Sequence, residues 1–318
     1  MMKKSRMIKD LKKDDMINDI FVVKFKKPVE PYKNGYKFEL RLGDSSKEIM
    51  YKYWGPPEEN KVKLLYDLIK HGDVVHLQGR VSEWNSNLEI SANDQHTVRI
   101  LQPGEYDIKD FIRESKRRRE EMWKELVSYA DMVKNKDIKK ILDHFFMDKG
   151  FADKFSICPA AMYIHHGWIG GLLEHTISVA KLCIEMQKIH ASLDLDYLLA
   201  GALLHDIGKL NEFEITTSIR VTTEGMLVGH VNIGIEMLNK AMDSADTPKE
   251  IRIKLVHMLM THMGEYGSAK TPAFPEAMAV YHADHADAMI THMILVKEEA
   301  ATEDDYIYTK DMGNVYLK

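Results

Sequence analysis

The chain has little cysteine: only Cys158 and Cys183 occur among its 318 residues, and they do not form a C-x-x-C pair. This excludes a zinc finger built on cysteine ligands and is typical of a reducing compartment, so we expect a cytoplasmic protein. No apolar run reaches the roughly 18 residues that a membrane-spanning helix needs, and the charged N-terminus lacks the apolar core of a secretory signal. We therefore expect no membrane partner.

Three well-defined catalytic motifs are also missing. The chain contains no G-x-S-x-G, no P-loop and no G-x-G-x-x-G, so acyl transfer, kinase and Rossmann chemistry have no support. Its net charge of −5 shows that the chain is not basic throughout, as a uniformly basic nucleic-acid-binding protein would be. Positive charge is nevertheless concentrated in residues 1–33, with ten Lys and Arg against five acids, and in the run Lys116–Arg119. Such runs are either solvated surface or contacts for phosphates.

Short alternating apolar segments between residues 15 and 103 predict a β-rich domain. The pattern indicates three strands, a short helix and two more strands, with the last strand at 88–100. This is the element order of an OB fold, a five-stranded barrel that commonly binds single-stranded nucleic acid, and an SH3-like barrel is the alternative. Strand aromatics are mostly core residues. Those that are exposed can stack on bases, and the candidates are Tyr36, Phe38 and Trp54.

Helical spacing dominates residues 108–299, so we expect an α+β multidomain protein in which an N-terminal five-stranded OB-fold β-barrel precedes an all-α domain. The predicted divisions are a basic N-terminal extension (1–14), an OB-fold nucleic-acid-binding domain (15–103), a connecting helical segment (104–145), the helical domain (146–300) and a C-terminal tail (301–318).

Histidine is concentrated in the helical part, where twelve of the 15 histidines lie between His144 and His292. Several isolated His and Asp residues each fall on or at the end of a predicted helix, 22 to 32 residues from the next site. An antiparallel bundle could bring them to one end, where imidazole nitrogens and carboxylate oxygens suit Mn²⁺, Fe²⁺, Zn²⁺, Ni²⁺ or Co²⁺. The candidate metal ligands are His175, His205, Asp206, His230, His262 and Asp284.

Some roles at this site stay open at the level of the sequence. Asp284 and Asp287 are three residues apart on one helix, so either could be the ligand. Lys209 is either solvated on a helix face or neutralises phosphate charge in the transition state. His165 and His166 either contact substrate or cap a packed turn.

These residues resemble a known family. The order His…His-Asp…Asp resembles the HD superfamily of metal-dependent phosphohydrolases and maps onto His175, His205, Asp206 and Asp284. Within it, the chain is most similar to the YhaM-type 3′→5′ exoribonucleases, which join an OB fold to an HD domain. The segments that carry this resemblance are Pro159–Ala161, His165–Gly167, Gly170–Thr176, Leu204–Lys209, Thr223–Gly225, Gly229-His230, Gly264–Ser268 and Ala283-Asp284.

The resemblance implies an HD-type helical domain with a two-metal site, often loaded with Mn²⁺, and His230 and His262 as further ligands. Such phosphodiesterases usually have His-His where this chain has His262-Met263, so one or two ions, including Mg²⁺, are compatible with the sequence. The leading hypothesis is a 3′→5′ exoribonuclease acting on single-stranded RNA or DNA, with Asp206 and Lys209 as catalytic residues. The alternatives are a hydrolase of small or cyclic nucleotides and a non-catalytic single-strand-binding protein; a homo-oligomer is compatible with each. The predicted substrate contacts are His165, His166, Lys209, Tyr36, Phe38 and Trp54.

Overall fold

The computed structural model describes residues 1–85, 87–162, 166–264, 270–300 and 302–318. The chain divides into two compact units. The first contains Met1–Arg113 and Ile215–Ser218, and the second contains Glu114–Glu214 and Ile219–Lys318. Among the described helices, none is both long and apolar enough to cross a membrane.

The first unit is built on one β-sheet. Antiparallel pairing joins the first strand to the second and the second to the third, and the third pairs in parallel with the fifth. The fifth strand pairs with the fourth, which returns to the first, in the strand connectivity of an OB-like sheet. Its elements are β1 (Met16–Tyr32), β2 (Gly35–Gly43), β3 (Glu48–Trp54), α1 (Glu59–Leu68), β4 (Val74–Trp84), β5 (Asn87–Asn93) and β6 (Val98–Leu101), with a 3₁₀ turn at Ile8–Asp10.

The segment predicted as one strand at 88–100 contains two strands, so β6 is added to the five predicted strands. β5 ends at Asn93, whose side-chain oxygen accepts a hydrogen bond from the backbone N–H of Gln95. The backbone N–H of His96 donates to the Asn93 carbonyl, which closes a turn. Asn favours such turns because its side chain mimics a backbone acceptor. β6 then pairs with β4, outside the ring of the other strands.

The N-terminal residues predicted as a basic extension pack into this first unit. Lys4 has a side chain only 1% exposed, and its Nζ donates to the carbonyl of Ile20 at 2.7 Å. The same Nζ lies 3.5 Å from Asp44 and 3.7 Å from Asp19. An unpaired buried ammonium group is costly, and these carboxylates compensate the charge of Lys4. Lys4 is therefore a structural residue and not a phosphate contact.

The second unit is a helical bundle with a continuous apolar core. Its helices are α2 (Arg119–Asp131), α3 (Lys136–Phe146), α4 (Lys149–Phe155), α5 (Gly171–Ile189), α6 (Leu195–Leu204), α7 (Lys209–Glu212), α8 (Thr223–Ser244), α9 (Lys249–Thr261) and α10 (Pro275–Glu299). Two two-stranded sheets were not predicted: β7 (Phe213–Ile215) with β8 (Ile219–Val221), and the antiparallel pair of β9 (Tyr306–Thr309) with β10 (Gly313–Tyr316). A 3₁₀ turn occupies Ile108–Asp110 in the first unit.

The segment 104–145, predicted as a separate connection, is divided between the two units. Residues up to Arg113 belong to the first unit, and α2 and α3 belong to the second. Met122 and Leu126 of α2 are fully buried in the helical core, as is Ile138 of α3. The sequence does not reveal that these helices belong to the core, because an amphipathic helix on a bundle surface has the same mixed pattern of charged and apolar residues as a free connecting helix.

Candidate metal centre

Helix α6 is the buried centre of the bundle and ends at the first candidate ligand. All of its residues from Tyr197 to Leu204 are buried. His205 follows as the C-terminal cap, and its Nδ1 lies 2.8 Å from the carbonyl oxygen of Ala202. A carbonyl only accepts hydrogen bonds, so Nδ1 carries the proton and Nε2 keeps a lone pair. The end of an apolar helix thus fixes one imidazole in a ligand-competent tautomer.

His262 repeats this arrangement at the end of α9. It is the C-terminal cap of that helix, it is 1% exposed, and its Nδ1 lies 2.7 Å from the carbonyl oxygen of Leu259. In both cases the histidine satisfies a carbonyl three residues back that the helix leaves without a partner. His262 therefore also presents Nε2 away from its own helix.

The other two histidines are held by carboxylates. His175 lies in the first turns of α5, and its Nδ1 is 2.6 Å from Asp287 Oδ2 on α10. His230 lies in α8, and its Nδ1 is 3.2 Å from the Glu212 carboxylate at the end of α7. All four imidazoles are thus bonded through Nδ1 and turn Nε2 toward one point, as metal-ligating histidines commonly do.

Asp206 lies at that point. Its Oδ2 is 3.2 Å from His205 Nε2 and 3.7 Å from His175 Nε2. Its Oδ1 is 3.5 Å from His262 Nε2 and 3.6 Å from His230 Nε2. Each oxygen of one carboxylate therefore faces a different pair of imidazoles.

Asp284 joins the first of these pairs. Its Oδ1 is 3.1 Å from His175 Nε2 and 4.0 Å from His205 Nε2. Two groups of three ligand atoms result, and within each group the atoms lie within 4.8 Å of one another. The first half-site is His175, His205 and Asp284; the second half-site is Asp206, His230 and His262.

The donor set fits divalent transition-metal ions. Both oxygens of Asp206 are buried without a well-directed hydrogen bond; Lys209 Nζ compensates the charge beside Oδ2, whereas Oδ1 faces the Nε2 atoms of His230 and His262. Imidazole nitrogen combined with carboxylate oxygen suits Mn²⁺, Fe²⁺, Co²⁺, Ni²⁺ and Zn²⁺, whereas Mg²⁺ favours oxygen ligands. Although Met263 takes the place of a second histidine, the second half-site still has three donors.

Lys209 adds a positive charge beside Asp206. Its Nζ lies 2.6 Å from Asp206 Oδ2, and the residue is only 8% exposed, which excludes a solvated helix face. Burial lowers the pKa of Lys209, but attraction to Asp206 outweighs burial and the pKa is raised overall. Burial likewise raises the pKa of Asp206, but Lys209 and His205 outweigh it and hold that pKa well below its usual range. The pair is therefore fully charged at neutral pH.

Two glycines give the backbone the shape that this site needs. A Cβ on Gly208 would lie 1.9 Å from the carbonyl oxygen of His230, so only glycine allows α8 to approach the His-Asp turn this closely. Gly229 has φ +76°, a conformation that glycine adopts without strain, and it interrupts α8 just before His230. The interruption sets the direction of the ligand that follows.

The structure brings together all six residues predicted as metal ligands. His165 and the segment 265–268 lie outside the described residues. The prediction of a substrate contact at His166 is corrected, because His166 is 4% exposed and its Nε2 lies 3.0 Å from Asp287 Oδ2. Glu174, the sequence neighbour of His175, accepts from Trp168 Nε1 at 2.9 Å. Asp287 is the residue that orients His175.

Sequence reasoning did not find Glu212. It is six residues from Asp206 and belongs to a short helix, so no periodicity linked it to His230. Asp287 was visible as the neighbour of Asp284 on α10, but only the fold decides that Asp284 faces Nε2 of His175 while Asp287 faces Nδ1.

The aromatic residues of the OB-like sheet divide into core and surface. Phe38 is fully buried and stacks on Tyr53 with ring centroids 5.0 Å apart, so the prediction that Phe38 stacks on a base is wrong. Tyr36 is half-buried against the same core. Trp54 points to the outer face, where its Nε1 donates to Ser91 Oγ at 3.1 Å. Side chains alternate between the two faces of a β-strand, and Phe38 is at a position that faces the core.

A more exposed aromatic lies on the same outer face. Trp84, at the end of β4, is 65% exposed, and Lys52 Nζ lies 6.0 Å from the centre of its ring. Lys37 Nζ similarly lies 5.2 Å from the centre of the Trp54 ring. A groove of about 500 Å³ is lined by Trp54, Arg80 and strand residues around them. This face combines aromatic rings with ion-paired lysines: Lys37 lies 2.8 Å from Glu30, and Lys52 lies 2.6 Å from Glu89.

Comparisons with known proteins found a family model and several solved structures that are similar to parts of this chain. Residues 172–289 match the family model of the HD domain. The OB domain of Ta0387 from Thermoplasma acidophilum is 15% identical and covers 32% of this chain and 89% of its own, with a TM-score of 0.25. The p204 HINb domain is 11% identical and covers 30% of this chain and 46% of its own, with a TM-score of 0.24.

A third similar structure is a replication protein A heterotrimer bound to single-stranded DNA, 14% identical over 27% of this chain and 57% of its own, with a TM-score of 0.20. The matches are partial: this chain spans 46% of the p204 HINb domain structure. With TM-scores this low, the OB-like character of the sheet rests on its own strand pairing. The chain therefore carries an HD domain that follows an OB-like sheet in the sequence.

Proposed function

We propose that the protein is a metal-dependent phosphodiesterase that degrades single-stranded RNA from its 3′ end and releases nucleoside monophosphates. The observation that carries the proposal is the buried cluster in which four Nε2 atoms and two carboxylates form two half-sites, with one oxygen of Asp206 facing each pair of imidazoles. HD domains are typical of metal-dependent phosphohydrolases. Divalent ions held there lower the pKa of water and neutralise phosphate charge.

The protein's own residues supply positioning and charge. The four histidines are held by hydrogen bonds behind them, so the ligand set is arranged before substrate arrives. Lys209 stays protonated beside Asp206 and is the side chain placed to neutralise a phosphate oxygen as charge develops. The burial of Asp206 and His205 excludes bulk water, which strengthens each of these interactions.

The outer face of the OB-like sheet supports the proposal that the substrate is single-stranded. Trp54 and Trp84 offer ring faces for base stacking, and backbone phosphates would replace Glu30 and Glu89 as the partners of Lys37 and Lys52. Stacking tolerates any base, which suits a processive nuclease without sequence preference. The direction of degradation and the preference for RNA are supported by the sequence resemblance to YhaM-type exoribonucleases.

The test uses the full chain with Mn²⁺ and RNA labelled at its 5′ end. Degradation from the 3′ end gives a ladder of labelled products that shortens one nucleotide at a time, whereas attack from the 5′ end releases labelled mononucleotide at once. DNA of the same sequence, duplex RNA and cyclic nucleotides are run in parallel. Activity confined to cyclic nucleotides, or equal shortening by a His205→Ala/Asp206→Ala variant, would refute the proposal.

A further inference from the structure

The four imidazoles of the metal centre are not held in the same way. Backbone carbonyls hold His205 and His262, whereas carboxylates hold His175 and His230. A carboxylate is a stronger acceptor than a carbonyl because it carries a full charge. A carboxylate behind an imidazole also makes Nε2 a more basic ligand. Each half-site contains one histidine of each kind.

We propose that Asp287 and Glu212 are positioning residues that set the metal affinity of the two half-sites separately. Asp287 acts on the first half-site through His175, and Glu212 acts on the second through His230. This inference rests on the proposed metal-dependent function but concerns metal binding, so it can fail or hold independently of nuclease activity.

Asp287 is itself held from a second side. Its Oδ2 lies 2.6 Å from His175 Nδ1 and 3.0 Å from His166 Nε2, so one oxygen joins the two rings. Thr291 Oγ1 lies 3.3 Å from the same His166 nitrogen. His166 has φ +48°, a backbone conformation that is uncommon outside glycine and persists where surrounding contacts fix it. The relay from His166 through Asp287 therefore fixes the rotation of the His175 ring.

Glu212 holds both the side chain and the backbone of its histidine. Its carboxylate lies 3.2 Å from His230 Nδ1 and accepts from the His230 backbone N–H at 3.2 Å. This second bond falls directly after the interruption of α8 at Gly229, where the helix itself supplies no acceptor. Glu212 thus fixes the position of the ligand as well as its ring orientation.

The experiment measures Mn²⁺ binding to the metal-free full chain by competition with a fluorescent chelator, which resolves two binding steps. His205→Ala and His262→Ala identify which step belongs to which half-site. Asp287→Asn and Glu212→Gln remove one negative charge each with little change in shape. Glu276→Gln is the matched control, because Glu276 is on the same helix as Asp287 but accepts from the backbone N–H of Asp194.

Asp287→Asn is expected to weaken the step that His205→Ala removes by about 10- to 100-fold and to leave the other step unchanged. Glu212→Gln is expected to do the reverse, and Glu276→Gln to change neither. His166→Gln should weaken the same step as Asp287→Asn by a smaller factor. The double variant of His166 and Asp287 should match Asp287→Asn alone, because both act through one contact.

Several results would overturn the proposal. They are wild-type affinity in both carboxylate variants, an equal loss in both steps from either one, and a wild-type chain that binds a single ion. Loss of a third ion in Asp287→Asn with unchanged affinity for the other two would assign His166, His175 and Asp287 as ligands instead. If Asp287→Asn does not fold, His166→Gln tests the same relay. A chain that shows the expected pattern yet degrades no RNA would refute only the nuclease function.

Discussion

Metal binding should stabilise the helical unit, and the stabilisation should depend on pH because His175 must lose a proton before it binds metal. At a free Mn²⁺ concentration of about 100 times Kd, one bound ion stabilises the folded state by about 2.7 kcal/mol. For a unit of about 200 residues, each kcal/mol shifts Tm by about 2–4 °C, so we expect an increase of about 5–11 °C at pH 8.

The pH dependence follows from the proton on His175. Burial lowers the pKa of His175, but Asp284 and Asp287 outweigh it and raise the pKa to about 9. A ligand must lose its proton before it binds metal, so each pH unit below about 9 weakens binding about tenfold. At pH 6 the same Mn²⁺ concentration is then close to Kd and stabilises by about 0.4 kcal/mol, or about 1–2 °C.

The metal-free protein should show the opposite slope. A histidine whose pKa rises on folding contributes stability that is fully present below its unfolded value, near 6.5, and is lost as pH rises through the folded value, near 9. Tm in chelator should therefore fall between pH 6.5 and 9, while the increase caused by Mn²⁺ grows.

Differential scanning fluorimetry with EDTA or Mn²⁺ at a series of pH values measures both slopes. His175→Gln removes the proton-binding ligand and should flatten the dependence on pH, and Glu276→Gln serves as the control. The reasoning is refuted if Mn²⁺ raises Tm equally at pH 6 and pH 8, or if His175→Gln keeps the wild-type pH profile.

Three further predictions concern other parts of the molecule. Trp84→Ala should weaken binding of single-stranded RNA by about 1–3 kcal/mol in fluorescence anisotropy, whereas Phe38→Ala should lower the free energy of unfolding by about 3–5 kcal/mol because it empties a core position. Lys209→Met should reduce kcat by about 10²- to 10³-fold while chelator competition still detects bound Mn²⁺. Burial raises the pKa of Glu125, but Lys181, Arg117 and Tyr129 outweigh it and lower the pKa to about 2, so its stabilising contribution is present above pH 4.5 and is lost toward pH 2. Glu125→Gln should therefore lower Tm at pH 7 by a small amount and leave it unchanged near pH 2.

The strongest sequence predictions were those that depended on local periodicity. The region 108–299 is largely helical as predicted, because apolar spacing and terminal residues specify a helix within its own segment. The order of strands and helix along the OB-like domain followed in the same way from alternation and turn residues. The predicted strand at 88–100 was wrong at Asn93, where the polar residues 93–97 separate two short apolar segments and contain a turn.

Assignments that depend on which way a side chain points were weaker. Phe38 and Trp54 are on adjacent strands and looked equivalent in the sequence, yet one is in the core and the other on the outer face. His166 is likewise beside a glycine-rich turn and looked accessible, but it is buried behind His175. Burial of this kind depends on neighbours that are distant along the chain.

By itself, the sequence determined which residues were available as ligands. Helix packing does not require His and Asp at regular intervals on successive helices, so their presence there indicates a metal site. Only the tertiary structure decided their roles. The carbonyls of Ala202 and Leu259 and the carboxylates of Glu212 and Asp287 each accept from Nδ1 and direct Nε2 of the ring to the metal centre, and the two carboxylates belong to helices other than those of the histidines they hold. A ligand's chemistry is local, but its proton and orientation are set by whichever group packing brings behind it.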